Sequence, residues 1–194
     1  MEAVRYVLAK TEGEYDNEVE LSNGLKVVVN TTIESVSNIN REVEVVSAPK
    51  NTVLDKGDKL IVHHNIIRKK NDVKGVERRS DFWLIDNVYF IPPTEIFLYK
   101  KKGADWKAPD PYVFIEPIKN IPQKTKSGIY LDTGAKIKYV KNTGIIKYIN
   151  DELIEWGLKV GDKVYFKDDS EYEFNIDKTL LYRMKTSDIL GLFE

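Results

Sequence analysis

His63 and His64 are the only imidazoles in this 194-residue chain, and they are adjacent. On the strand expected over residues 59–64, neighbouring side chains point to opposite faces, so the two rings are not placed to share a metal ion. Four residues, Asp168-Asp169-Ser170-Glu171, crowd carboxylates together after another expected strand. They lack the glycine and the ligand spacing of a calcium loop and read as a solvated hairpin turn. The chain has no cysteine, which excludes disulfides, thiol nucleophiles and thiolate-zinc sites. No glycine-rich phosphate loop, Ser-His-Asp order or histidine-bearing helix motif is present. The expectation is a protein with no catalytic residue, no cofactor and no metal.

One basic cluster remains, Arg68, Lys69, Lys70, Lys74, Arg78 and Arg79, with Lys100, Lys101 and Lys102 further on. Single-strand nucleic-acid sites interleave basic residues with stacking aromatics, and residues 68–79 contain no aromatic while Asp72 and Glu77 interrupt them. A solvated hairpin or a contact to an acidic protein surface fits better than nucleic acid. The whole chain carries 30 basic and 31 acidic residues, so it exerts no global pull on phosphate backbones or anionic membranes. At 42% hydrophobic it has material for real cores. No apolar run approaches a membrane span, residues 1–10 (MEAVRYVLAK) do not read as a signal peptide, and a cytoplasmic protein is expected.

The elements that position these residues read as all-β. Short runs rich in Val, Ile, Tyr and Phe, punctuated by Gly, Asn, Asp and Pro, predict strands over 5–10, 25–30, 42–47, 59–64, 82–85, 88–91, 112–116, 144–149, 163–167 and 179–184. In residues 162–167 (DKVYFK), Val164 and Phe166 share one face and Tyr165 takes the other. Asp86-Asn87 predicts a tight hairpin. The one helix signal is 150–156 (NDELIEW), capped by Asn150 or Asp151 and stopped by Gly157. Residues 94–98 (TEIFL) and 187–190 (SDIL) admit two readings, a single turn or a strand entry, and the strand entry is favoured.

A repeat organises the chain. Residues 53–62 (VLDKGDKLIV) are similar to 157–166 (GLKVGDKVYF), with Gly57 and Gly161 separated by 104 positions. Upstream of each lies an apolar strand, 42–47 and 144–149, and before that an opening strand, 5–10 and 112–116. Downstream, Pro93-Thr94-Glu95-Ile96 answers Thr186-Ser187-Asp188-Ile189. Four features in one order imply two copies. Residues 100–111 (KKKGADWKAPDP) have the composition of an exposed linker between a first domain, 1–99, and a second, 112–194.

The second copy resembles the GroES family of small co-chaperonins. The resemblance rests on 113–117 (VFIEP) as first strand, 124–131 (KTKSGIYL) as mobile loop, 144–149 as the strand leaving it, 160–166 (VGDKVYF) as the Val-Gly-Asp strand entry, and 186–194 (TSDILGLFE) as the close. The first copy keeps Lys56-Gly57-Asp58-Lys59 and the strand after it. It has no clear counterpart of Gly-Ile-Tyr-Leu; Leu25–Val28 after Gly24 comes nearest. It also carries an insertion-like stretch, 68–80.

The resemblance implies two tandem GroES-like small β-barrels, a ring-forming homo-oligomer, and a partner of the GroEL chaperonin class. That partner would be met through a loop spanning 119–141, with Gly128 as hinge, Ile129 and Leu131 as groove-filling anchors and Tyr130 as a flanking contact. By the same analogy residues 5–10 and 190–193 would be exposed edges used between subunits. A phage origin, and so a host cytoplasm, is compatible with the short segments between the post-loop strand and the Gly-Asp turn. The alternative reading is a structural assembly protein, such as a viral capsid or decoration component, built on the same barrel.

Overall fold

Strands dominate because β-branched and aromatic residues recur in runs too short for helices. In the computed structural model, which describes residues 1–13, 18–28, 40–120 and 139–193, the chain divides into two units, Met1–Trp106 and Lys107–Glu194. The first contains β1 (Val7–Lys10), β2 (Glu18–Glu20), β3 (Lys26–Val28), β4 (Glu42–Ser47), β5 (Lys59–Val62), β6 (Lys70–Asn71), β7 (Glu77–Arg78), β8 (Trp83–Ile85), β9 (Val88–Ile91) and β10 (Ile96–Lys100), and β11 (Trp106–Lys107) lies across the boundary. Seven of these form one sheet in the order β11-β10-β5-β4-β1-β9-β8, while β2–β3 and β6–β7 are separate hairpins.

The second unit contains β12 (Tyr112–Lys119), β13 (Tyr139–Tyr148), α1 (Asp151–Glu155), β14 (Lys163–Phe166), β15 (Tyr172–Ile176), β16 (Thr179–Lys185) and β17 (Ile189–Leu192). Its sheet runs β15-β16-β12-β13-β14-β17. Set beside the first sheet without β11, the order is the same, strand for strand.

The likeness extends to the irregularities. Pairing of β1 with β4 slips between Leu8 and Ala9, opposite Ser47 and Val45; pairing of β12 with β13 slips between Phe114 and Ile115, opposite Tyr148 and Ile146. A second slip lies between Ile96 and Leu98 on β10, opposite Val62 and Ile61, and recurs between Ile189 and Gly191 on β17, opposite Phe166 and Tyr165. A bulge changes local twist and curvature, so shared bulges give the two sheets the same bends.

The Gly-Asp turns explain why that motif opens β5 and β14. Gly57 and Gly161 have φ of +92° and +94°, a conformation an L side chain resists. Each glycine N–H donates to a strand carbonyl, Val45 at 2.8 Å and Ile146 at 2.9 Å, and the following Asp58 and Asp162 carbonyls accept from the same two residues. The Asp carboxylates accept from the amides of Asp55 and Lys159 at 2.8 and 3.0 Å, closing each turn.

Core residues occupy matching places too. Val7, Ala9, Val45, Leu60, Val62, Tyr89, Ile91 and Ile96 cluster in the first unit. Val113, Ile115, Ile146, Val164, Phe166 and Met184 cluster in the second, with Tyr182 and Ile189 against them. A single sheet whose one face supplies such a cluster must curl around it, as a small barrel does.

Helix α1 forms where expected: Asn150 caps it, accepting from the Leu153 amide at 3.0 Å, and its own Nδ2 donates to Thr186 Oγ1 at 2.7 Å. Both strand-entry readings hold, each as a single 3₁₀ turn, Pro93–Glu95 and Thr186–Asp188, leading into β10 and β17.

Three expectations are corrected. The strand bearing the histidines ends at Val62, because the His63 amide donates to Glu95 O at 3.0 Å and His64–Ile66 turn into a 3₁₀ helix. The two rings therefore stack, with centroids 4.2 Å apart, instead of facing opposite ways. Residues 168–171 are not a hairpin turn: β14 and β15 do not pair with each other, and the segment carries the chain from one part of the sheet to another. Residues 5–10 do not provide an edge, since β1 pairs with β4 on one side and β9 on the other. Within 100–111, Lys100 ends β10, Trp106 begins β11, and Trp106 and Ala108 are buried.

Candidate functional site

The stretch expected to carry function leaves the sheet at the end of β12 and returns along β13. Gly128, Ile129, Tyr130 and Leu131 lie outside the described residues. The frame around them is described. Lys119 pairs with Tyr139, and Pro117 with Gly144, so two steps along β12 span five along β13. That surplus is absorbed around Asn142, which has φ +54° and whose Oδ1 is buried without a hydrogen-bond partner. Just beyond, Lys141 Nζ pairs with Asp168 at 2.9 Å, which raises the lysine pKa through that hydrogen bond and the carboxylate charge.

Gly144 lets β13 come against β12 at the root of this stretch. A Cβ there would sit 2.3 Å from Ile115 Cγ2 and 2.8 Å from the Glu116 carbonyl oxygen. No other residue type has room for that approach.

The first unit sends out its own longest connection at the same topological place, between β1 and β4. It holds the β2–β3 hairpin, closed by Leu21 N–H to Leu25 O at 2.8 Å. Leu21, Leu25 and Val27 are exposed on it. The base is fastened by Asn40, whose Nδ2 donates to Thr11 Oγ1 and Gly13 O, both at 3.3 Å. Sequence reasoning predicts a strand over 25–30, which β3 meets in part, and has no signal for β2.

Residues 107–193 match the family model of the chaperonin 10 Kd subunit. The match coincides with the second unit almost end to end and supports a GroES-like identity for it. No curated protein matches the chain. Within the chaperonin-10-like unit, the matched span runs from the residue after the unit boundary through β17, and it includes all of residues 119–141.

The other chemistry-bearing residues do not gather into a site. His63 Nδ1 accepts from the Asn65 amide at 3.1 Å, and its ring meets Phe97 edge-on at 5.9 Å. Burial, then His63, Arg41 and Arg68, push the His64 pKa down to about 4. Among the described residues no group of three His, Asp or Glu side chains could hold a metal, and no helix is long and apolar enough to cross a membrane. The basic stretch folds as expected into a solvated hairpin, β6–β7, with Lys69 paired to Glu77 and Arg78 to Asp72, both at 3.1 Å.

Proposed function

We propose that the protein is a tandem co-chaperonin that caps a chaperonin ring of the GroEL class through the loop at Gly128–Leu131. It assists ATP-dependent protein folding in the cytoplasm and performs no catalysis of its own. The observation that carries this reading is the chaperonin 10 match over residues 107–193, whose unit offers the 119–141 stretch from two paired strand ends. The shared strand order, shared bulges and twin Gly-Asp turns support the first unit as a diverged second copy of that fold.

Energetics favour this division of labour. Burying Ile129 and Leu131 in an apolar groove contributes about 1.5–3 kcal/mol each. Ordering the surrounding backbone costs about 1–2 kcal/mol per residue. One loop alone therefore binds weakly, and a cap that must leave in every nucleotide cycle needs weak contacts multiplied by valency. Several loops on one ring raise avidity by on the order of 10²–10⁴.

A ring is supported by an asymmetry between the units. The outer side of β10 is covered by β11, whereas β17, its counterpart, ends its sheet with Leu190 and Leu192 67% and 51% exposed. An apolar strand left at an edge is a template for another strand, and a neighbouring copy supplies one. The test is to mix the protein with a purified chaperonin ring and ATP and look for nucleotide-dependent co-migration that Ile129→Asp abolishes. Absence of a complex with rings from several sources refutes the reading and favours a purely structural assembly role.

A further inference from the structure

Strand β8 sits at the opposite end of the first sheet from β11, and among the described residues nothing pairs with its outer side. Its three residues, Trp83, Leu84 and Ile85, are 38%, 41% and 46% exposed. An edge strand that shows apolar side chains on both faces is open to strand addition, and proteins ordinarily blunt such edges with charge. The counterpart in the second unit does so: β15 buries Phe174 and Ile176 and turns Glu173 outward. The fold therefore does not require the exposure at β8.

The stretch before β8 carries a net excess of basic residues, although Asp81 and Asp86 flank the strand itself. From Arg68 to Arg79 there are six basic residues and two acidic ones. The Arg79 guanidinium lies over the Trp83 ring, 4.8 Å from its centroid, and its Nη1 donates to Asp86 O. The residue leading into β8, Phe82, lines a cleft of about 350 Å³ with Asn65, Arg68, Ser80 and Asp81. Arg68 Nε is buried without a hydrogen-bond acceptor. An edge for main-chain pairing beside a cleft lined by an arginine is the arrangement that reads an extended peptide: the edge gives affinity and the cleft selects alternate side chains.

We propose that β8 is a docking edge for an extended segment of a partner protein in which acidic and apolar residues alternate. The segment adds as a further strand, its apolar side chains lie over one face of β8, and an acidic side chain on its other face is drawn to the cleft that Arg68 lines. This site is separate from the loop at Gly128–Leu131 and stands whether or not the chain binds a chaperonin.

The experiment titrates the full-length, isotope-labelled protein with a capped peptide of alternating Val and Glu, following the Trp83 indole N–H, which now donates to Asp86 O at 2.9 Å. Saturable shifts of that signal and of the 83–85 amides are expected, weakening as salt rises. The same peptide with Lys for Glu should bind at least about tenfold more weakly, a loss of about 1.4 kcal/mol. A peptide N-methylated at alternate amides keeps the side chains but cannot pair; it should not bind, and this control leaves the protein untouched. Arg68→Gln should weaken the Val-Glu peptide by several-fold. No saturable shift at millimolar peptide, equal binding of the Lys or N-methylated peptides, or an oligothymidine that matches and displaces the peptide would each overturn the proposal. So would self-association through β8 that Leu84→Pro abolishes, because the edge would then belong to a second copy.

Discussion

Gly144 and Val43 hold the same place in the two sheets, and so do Ile115 and Ala9. One pair divides its four side-chain carbons as none and four, the other as three and one. At this one place the two sheets thus carry the same number of side-chain carbons, delivered from opposite strands. Gly144→Val should be costly, because its Cβ alone lands 2.3 Å from Ile115 Cγ2 where carbon atoms normally rest at about 3.5–4.0 Å. Ile115 is fully buried and cannot swing clear. Overpacking of this kind costs about 1–3 kcal/mol, and the further approach to the Glu116 carbonyl puts this case at the upper end. Ile115→Ala alone should cost about 2–5 kcal/mol through the cavity it leaves. The double variant recreates the Ala9/Val43 solution, so the two costs should cancel in part, with a favourable coupling of about 2–3 kcal/mol. Recovery is incomplete, since the Glu116 oxygen stays where it is. Urea titration followed by the amide signals of Leu153 and Val164 reports this unit alone. Additive costs, or a Gly144→Val penalty below about 1 kcal/mol, would refute the idea that the two cores solve one packing problem in two ways.

Gly57→Ala and Gly161→Ala should each lower stability by about 1–2 kcal/mol through backbone strain, although neither Cβ meets another atom, and thermal melts should show matched losses. Asn150→Ala removes both the cap of α1 and the bond to Thr186 Oγ1 in a buried setting; a loss of about 1–3 kcal/mol is expected by urea unfolding. His64 stays neutral in the folded chain down to about pH 4, whereas unfolded it takes a proton near the ordinary 6.5. Between those values the unfolded state binds more protons, so stability present above pH 6.5 is lost as pH falls toward 4. His64→Gln should flatten the pH dependence of the unfolding midpoint across that window, so that the wild-type-minus-variant difference falls as pH drops from 6.5 to 4; a difference that does not change with pH would count against the burial and the neighbouring positive charges as its cause.

Alternation made much of this fold legible. Val164 and Phe166 are buried and Tyr165 exposed, as residues 162–167 predict, and 42–47 and 88–91 become strands with the expected bounds. Pairing was not legible, because nothing local says which strand lies beside which. The histidine reading failed for a related reason: a backbone bond from His63 to Glu95, formed only on folding, ends the strand that the adjacency argument assumed. Strand β15 was hidden by Glu173 and Asn175 on its outward face, which gave the region the look of a polar turn. The bulges that join the two sheets leave no mark in composition, since any residue can be the extra one. At the site itself, residues bordering 119–141 were readable through Gly144 and the strand after it, while Gly128–Leu131 rest on family resemblance.

The β11 strand makes one edge of the two sheets unequal: the position beyond β10 is filled from within the chain, and the matching position beyond β17 is open. In the ring proposed above, a contact made through β17 of one copy and a different strand of the next is heterologous, and its closure gives a polar ring and not a back-to-back pair. Because each chain brings two units, the proposed ring contains an even number of them. Set on a partner of odd rotational symmetry, a ring of that kind cannot seat all its units equivalently.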